Sequence, residues 1–143
     1  MAPEEFESMY DVTGRDFTNA GRASTAIKDV LKRLGVSPTI VRRVAIAAYE
    51  AEMNVVMYAT RGRMRLKVSP EAVTIEVKDS GPGIEDINMA MQEGYSTATP
   101  EMREMGFGAG MGLPNIKRNA DEFHITSEVA CGTRLFICVK QAA

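Results

Sequence analysis

Apolar and polar positions divide the chain into short elements of two periods. Phe6, Tyr10 and Val12 recur on even positions, which predicts a strand ended by Gly14. From Asp16 to Leu34 the spacing turns helical, through Phe17, Ala20, Ala23, Ile27, Val30, Leu31 and Leu34, and Gly35 is suited to close that helix. Ser37-Pro38 supplies an N-cap and a first-turn proline for a long helix from Pro38 to Ala59. Its stripe is Ile40, Val44, Ala47, Ala51, Val55 and Tyr58.

Thr60 to Arg65 is rich in Arg and Gly and reads as a turn. Met64, Leu66 and Val68 alternate, Ser69-Pro70-Glu71 turns, and Val73, Ile75 and Val77 alternate again, an antiparallel hairpin. Ile84 to Met91 is a short helix candidate. Thr97 to Met105 is polar and expected to be mobile. Leu113 to Asn119 is helix-like. Phe123, Ile125 and Ser127 alternate, and Gly132-Thr133 opens a last strand with Leu135, Ile137 and Val139 on one face. The predicted order is β-α-α-β-β-α-α-β-β, an α+β fold whose mixed, mainly antiparallel sheet carries helices on one face.

Size and charge narrow the function. A chain of 143 residues suits one domain, 1–143. A net charge of −2 gives no electrostatic case for nucleic acid or an anionic membrane, and no apolar run approaches the length of a membrane span. The acidic N-terminus lacks the apolar centre of a signal peptide. Cys131, Cys138 and a lone His124 are too few for a zinc site, so the cysteines are expected to be buried thiols of a reducing, cytoplasmic compartment.

Three places carry candidate chemistry. Gly106, Gly108, Gly110 and Gly112 alternate with Phe107, Ala109 and Met111 just before a helix. Such a loop can turn its N–H groups toward an anion at a helix N-terminus, or serve only as a flexible surface loop. It lacks the Gly-Lys-Ser/Thr ending of a P-loop and the preceding hydrophobic strand of a dinucleotide fingerprint. Glu50 and Asn54, four apart on the long helix, lie at one margin of its apolar stripe, either poised for a ligand or bonded to each other and solvent. Glu52 points about 160° away from Glu50. Asp79, at a strand end before Gly81-Pro82-Gly83, sets a carboxylate where a flat ligand can approach backbone; a plain turn fits the same residues.

Glu50-x-x-x-Asn54, Asp79-x-Gly81-x-Gly83, the glycine loop 106–112 and Gly132-Thr133 stand in the order of the N box, G1 box, G2 box and terminal Gly-Thr of the GHKL ATPases, the superfamily of gyrase, MutL and the histidine kinases. The resemblance covers nearly the whole chain. The length leads us to expect the stand-alone anti-sigma factor and switch-kinase group rather than a sensor kinase with its own phosphorylated histidine. Glu93 to Thr97, Gly108 to Pro114, Lys117-Arg118 and Asp121 to Phe123 look closest to the RsbT-like switch kinases, as does Tyr58-Ala59. The stretch between Thr97 and Gly106 is longer than that branch leads one to expect and resembles the lid of the anti-sigma factors.

The resemblance implies a Bergerat ATP-binding fold and roles for the matching residues. Asp79 would accept the adenine amino group, helped by Thr133 through a water, with Gly81 and Gly83 letting the purine meet the backbone. Asn54 would hold Mg²⁺. Gly106, Gly108, Gly110, Met111, Gly112 and Leu113 would wrap the phosphates of ATP, and Glu50 would be the catalytic acid–base. Arg103, Lys117 and Arg118 would either meet phosphate or partner or remain solvated surface charge. The implied activity is an ATP-dependent protein serine/threonine kinase acting on a STAS-domain anti-anti-sigma protein. The alternatives are a nucleotide-gated module that sequesters a sigma factor and an ATP-dependent regulator without phosphotransfer. A homodimer is compatible with each.

Overall fold

A computed structural model describes residues 5–81, 83, 87–92 and 112–141. The elements are β1 (Phe6–Thr13), α1 (Arg22–Arg33), α2 (Pro38–Tyr58), β2 (Arg61–Val68), β3 (Ala72–Ser80), α3 (Ile87–Ala90), α4 (Gly112–Asn119), β4 (Glu122–Glu128) and β5 (Gly132–Lys140). The five strands form one sheet in the order β1-β2-β3-β5-β4. Every pair of neighbours is antiparallel, so the expected mixed sheet is antiparallel throughout the described strands.

The period-2 pattern sets the layers. Met64, Leu66, Val73, Ile75, Val77, Leu135, Ile137 and Val139 point to one face and are buried under the helices. The opposite face carries Arg63, Arg65, Lys67, Glu76, Lys78 and Arg134, partly or fully exposed. α2 lies at the centre of the helical layer, packed between α1, α4 and the sheet. It is therefore buried more widely than its predicted stripe: Val41, Ala48, Met53, Val56 and Met57 are buried too, while Tyr58 is only half-buried. Its start matches expectation, with the Ser37 hydroxyl accepting from the Ile40 N–H at 3.5 Å and Pro38 in the first turn.

The structure corrects three local expectations. α1 begins at Arg22 rather than Asp16, because Asp16 and Asn19 form a hydrogen-bonded turn and Gly21 has φ 97°. The supposed turn from Thr60 to Arg65 is strand from Arg61 onward. There Arg61, Gly62 and Arg63 pair with both β1 and β3, their arginines facing the open side. Gly62 sits under Val55, where a Cβ would come within 2.8 Å of that side chain. Only Cys138 is a buried thiol, pushed up in pKa by desolvation and then by the nearby Glu122 and Asp121, whereas Cys131 is exposed. Of the predicted 84–91 helix, α3 covers Ile87–Ala90, and 84–86 lie outside the described residues. Among the described residues, no helix is long and apolar enough to cross a membrane.

Candidate functional site

Glu50 and Asn54 meet at the start of α4. Both are half-buried on one side of α2. A Cβ built on Gly112, the first residue of α4, would lie 3.5 Å from Asn54 Oδ1 and 3.7 Å from Glu50 Oε1. The N-terminal end of a helix, with its partial positive charge, thus lies close to two oxygen-bearing side chains. The Asn54 amide makes no hydrogen bond to the described residues. Leu113 turns its side chain into the core, leaving its backbone at the helix end.

Asp79 sits one strand-end away. It shares the core-facing parity of Val73, Ile75 and Val77 but lies where the sheet runs out from under the helices. Its Oδ1 accepts from the Thr133 backbone N–H at 3.0 Å. Among the described residues its other oxygen has no partner. Burial pushes the Asp79 carboxyl up from the ordinary aspartate value, and the Thr133 N–H offsets part of that shift. The Thr133 hydroxyl lies 2.9 Å from Ser127 Oγ, which also donates to the Gly132 carbonyl at 3.2 Å. A pocket of 340 Å³ opens here, lined by Asp79, Ser127, Thr133, Lys78 and Arg134 among others.

The two clusters are joined through the core. Gly62 lies between Val55 and Asp79, whose Cβ is 3.4 Å from the position a Gly62 Cβ would take. Asn54 adjoins Val55, and Ala59, the C-cap of α2, adjoins Gly81. From Asn54 to Ala59 the helix rises about 7.5 Å. An open carboxylate and a pair of oxygen side chains at a helix N-terminus are therefore both set beside the C-terminal part of α2. That donor set fits a nucleotide: a carboxylate oxygen for an amino group at one end and helix N–H groups for phosphate at the other.

The glycines beside Asp79 serve a different purpose than ligand approach alone. A Cβ on Gly81 would come within 2.9 Å of Ala59 Cα, and one on Gly83 within 2.5 Å of the Glu128 carbonyl oxygen. Gly83 also has φ 76°, a conformation that favours glycine. Both hold neighbouring backbone close, and so hold the strand end in place.

A family model described as the histidine kinase-like ATPase domain matches residues 15–138. The chain belongs to that family. It is 32% identical over 112 residues to the serine/threonine-protein kinase RsbT of Bacillus subtilis, covering 76% of this chain and 78% of the relative. It is 32% identical over 105 residues to an anti-sigma F factor of Caldanaerobacter subterraneus, covering 68% and 70%. An anti-sigma F factor of Clostridium novyi is 26% identical over 125 residues, covering 83% and 84%. The chain is thus a GHKL ATPase domain of the anti-sigma factor and switch-kinase group, and that membership implies ATP binding. The five-stranded sheet under its helices is consistent with the Bergerat fold of that family.

Of the residues singled out in the sequence, Glu50, Asn54 and Gly112 come together, as do Asp79 and Thr133, while Gly81 packs on Ala59 at the end of α2. Gly83 packs on the end of β4. Gly106, Gly108, Gly110, Met111 and Arg103, with the segment Thr97–Met105, lie outside the described residues. Lys117 and Arg118 are exposed in the last turn of α4. Three polar residues make contacts that were not read from the sequence. Asn115 donates through Nδ2 to Glu50 Oε2 at 2.8 Å. Ser127 engages Thr133. Glu52, on the far side of α2, is 2% exposed and accepts from the backbone N–H groups of Gly21, Ala23 and Ser24 at 3.0, 3.2 and 2.9 Å. It caps α1 in place of a local side chain, and α1 has none of its own. Only for Ser127 was there a hint, its place in the β4 alternation.

Proposed function

We propose that the chain is an ATP-dependent protein serine/threonine kinase that phosphorylates a STAS-domain partner in a partner-switching system. The observation that carries this reading is the meeting of Glu50 Oε1 and Asn54 Oδ1 at Gly112, on α2, whose C-cap Ala59 adjoins Gly81 two residues after Asp79. Asp79 would take the adenine amino group on its open oxygen. Thr133 holds the other oxygen through its backbone N–H, which orients the carboxylate for that contact. The N-terminus of α4, with the glycine run before it, would receive the phosphates.

Asn54 would offer a neutral amide oxygen to Mg²⁺. Among the described residues no three His, Cys, Asp or Glu side chains gather for a metal, so phosphates and water would supply the other ligands, as Mg²⁺ prefers. The ion, when bound, draws charge from the transferring phosphoryl group. Glu50 would take the proton from the partner's hydroxyl. Phosphoryl transfer is mainly positioning and charge neutralisation, so little is asked of the base itself.

The similarity to anti-sigma F factors supports a second reading, in which the ATP-bound chain holds a sigma factor and transfers little phosphate. Incubation with labelled ATP, Mg²⁺ and candidate STAS-domain proteins separates the two. Label on a serine or threonine of one candidate is the expected result. ATP-dependent capture of a sigma factor with no label on any candidate would favour the second reading.

A further inference from the structure

We infer that Asn115 is a positioning residue for Glu50, held in its working orientation by Arg118. The inference rests on the reading of Glu50 as the base. Asn115 lies one turn into α4 and crosses to α2, where its Nδ2 donates to Glu50 Oε2 at 2.8 Å. Its own Oδ1 accepts from Arg118 Nη1 at 3.1 Å. The chemistry of the two neighbours sets the amide's orientation. A guanidinium only donates and a carboxylate only accepts, so the amide oxygen must face Arg118 and the NH₂ must face Glu50. The backbone beneath is tied as well, since Asn119 Nδ2 donates to the Asn115 carbonyl at 2.8 Å.

This relay treats the two oxygens of Glu50 differently. Oε2 is engaged by Asn115, and Oε1 is the atom beside Gly112 and Asn54. A carboxylate on a long side chain would otherwise sample several rotamers and exchange its oxygens. Anchoring one oxygen leaves the other aimed at the helix N-terminus, where the reacting phosphoryl group would lie. In the transfer step the acceptor oxygen bonds to the γ-phosphorus, its proton passes to Oε1, and the bond from that phosphorus to the bridging oxygen breaks to release ADP. Misplacing a reacting group by about 1 Å can cost on the order of 10²-fold in rate.

Water can serve as acceptor, so the test needs only the full chain and Mg-ATP. Single-turnover release of inorganic phosphate is measured for wild type, Asn115→Leu, Glu50→Gln and the double variant, alongside ATP affinity. The expected result is a 10- to 100-fold loss of rate in Asn115→Leu with ATP affinity within about threefold, and no further loss when Asn115→Leu is added to Glu50→Gln. Asn115→Ala, which deletes the amide without adding branches, repeats the test if leucine unsettles α4. Equal losses from Asn115→Leu in both backgrounds would overturn the inference, because the residue would then act through something other than Glu50. So would a wild-type rate in both Asn115 variants, or no measurable turnover by wild type. If Glu50→Gln itself turns over at the wild-type rate, the base reading fails first, and Asn115 has nothing to position.

Discussion

Glu50 and Glu52 stand two residues apart on the same helix and have opposite fates. Glu52 is buried, and three backbone N–H groups converge on its oxygens. Glu50 is half-buried, with one oxygen held by Asn115 and the other directed at a glycine. The difference separates structure from chemistry. A carboxylate whose acceptors are filled by its own chain stabilises the fold and has nothing left for a ligand. One with an open oxygen at a helix N-terminus contributes less to the fold and can take a proton. The same contrast recurs in the sheet. Asp121 is engaged on both oxygens, by Lys140 N at 2.6 Å and by Arg43 Nη2 at 3.1 Å, whereas among the described residues Asp79 is engaged on one.

The contrast breaks most visibly at Glu52. Glu52→Ala strands three N–H groups at the start of α1 and should cost about 2–4 kcal/mol, lowering Tm on the order of 10 °C. Glu52→Gln should also lower Tm, since an NH₂ then faces N–H donors. A thermal melt checks both, and an unchanged Tm would show that α1 does not depend on the cap. At the other extreme Asp79→Ala should change Tm much less, because relief of the buried charge and loss of the Thr133 hydrogen bond oppose each other. It should weaken ATP binding by about 1–3 kcal/mol, read by calorimetry; equal affinities would move the purine elsewhere.

Asp121 and Asp79 respond to pH in opposite directions. The Lys140 N–H, then Arg43, holds the Asp121 carboxyl below its ordinary value. Its stabilisation is therefore complete above the ordinary aspartate pKa and is lost as pH falls through the lowered one. Asp121→Asn should flatten that acid limb and, because the Arg43 pair is solvent-screened, cost no more than about 1 kcal/mol at neutral pH. Asp79, raised by burial, works the other way: its ionised form costs stability above its raised pKa, and acidification through that value relieves the cost. Melts of Asp121→Asn and Asp79→Asn from pH 3 to 7 should bend in opposite senses relative to wild type.

The smallest effect concerns cations without filled partners. On the open face of the sheet Lys78 lies directly opposite Arg134 and also opposite Arg63. Arg63 has Asp11 at 3.1 Å, while among the described residues Lys78 and Arg134 have no ion pair. Lys78→Glu should stabilise the sheet by about 0.2–1 kcal/mol, an effect that shrinks with salt. A melt series in sodium chloride reads it.

Much of this arrangement was legible in the sequence. Ser37-Pro38 and a long apolar stripe announce α2, and 100° per residue is enough to put Glu50 beside Asn54 and Glu52 across from both. Alternation through Val73, Ile75 and Val77 carries directly to Asp79 on the same face. The rest depended on contacts that local pattern does not encode. The cap of α1 comes from a helix 28 to 31 residues away, so the helical spacing of Phe17 and Ala20 extended the predicted helix too far. Arg61 to Arg65 looked like a turn because Arg and Gly dominate it, yet every second residue there faces an open sheet surface where arginine is at home. Asn115 is a polar residue on a short helix, and only the packing of α4 on α2 gives it Glu50.

The division of labour on α2 is tested most directly by Glu50→Gln, measured for Mg-ATP affinity and for phosphotransfer to a STAS-domain partner in parallel with Glu52→Gln. The account predicts ATP affinity within a few fold for Glu50→Gln and transfer slowed by about 10²–10⁴, with an unchanged Tm. For Glu52→Gln it predicts a lowered Tm and, below that Tm, a transfer rate close to wild type. Transfer at the wild-type rate by Glu50→Gln would contradict it.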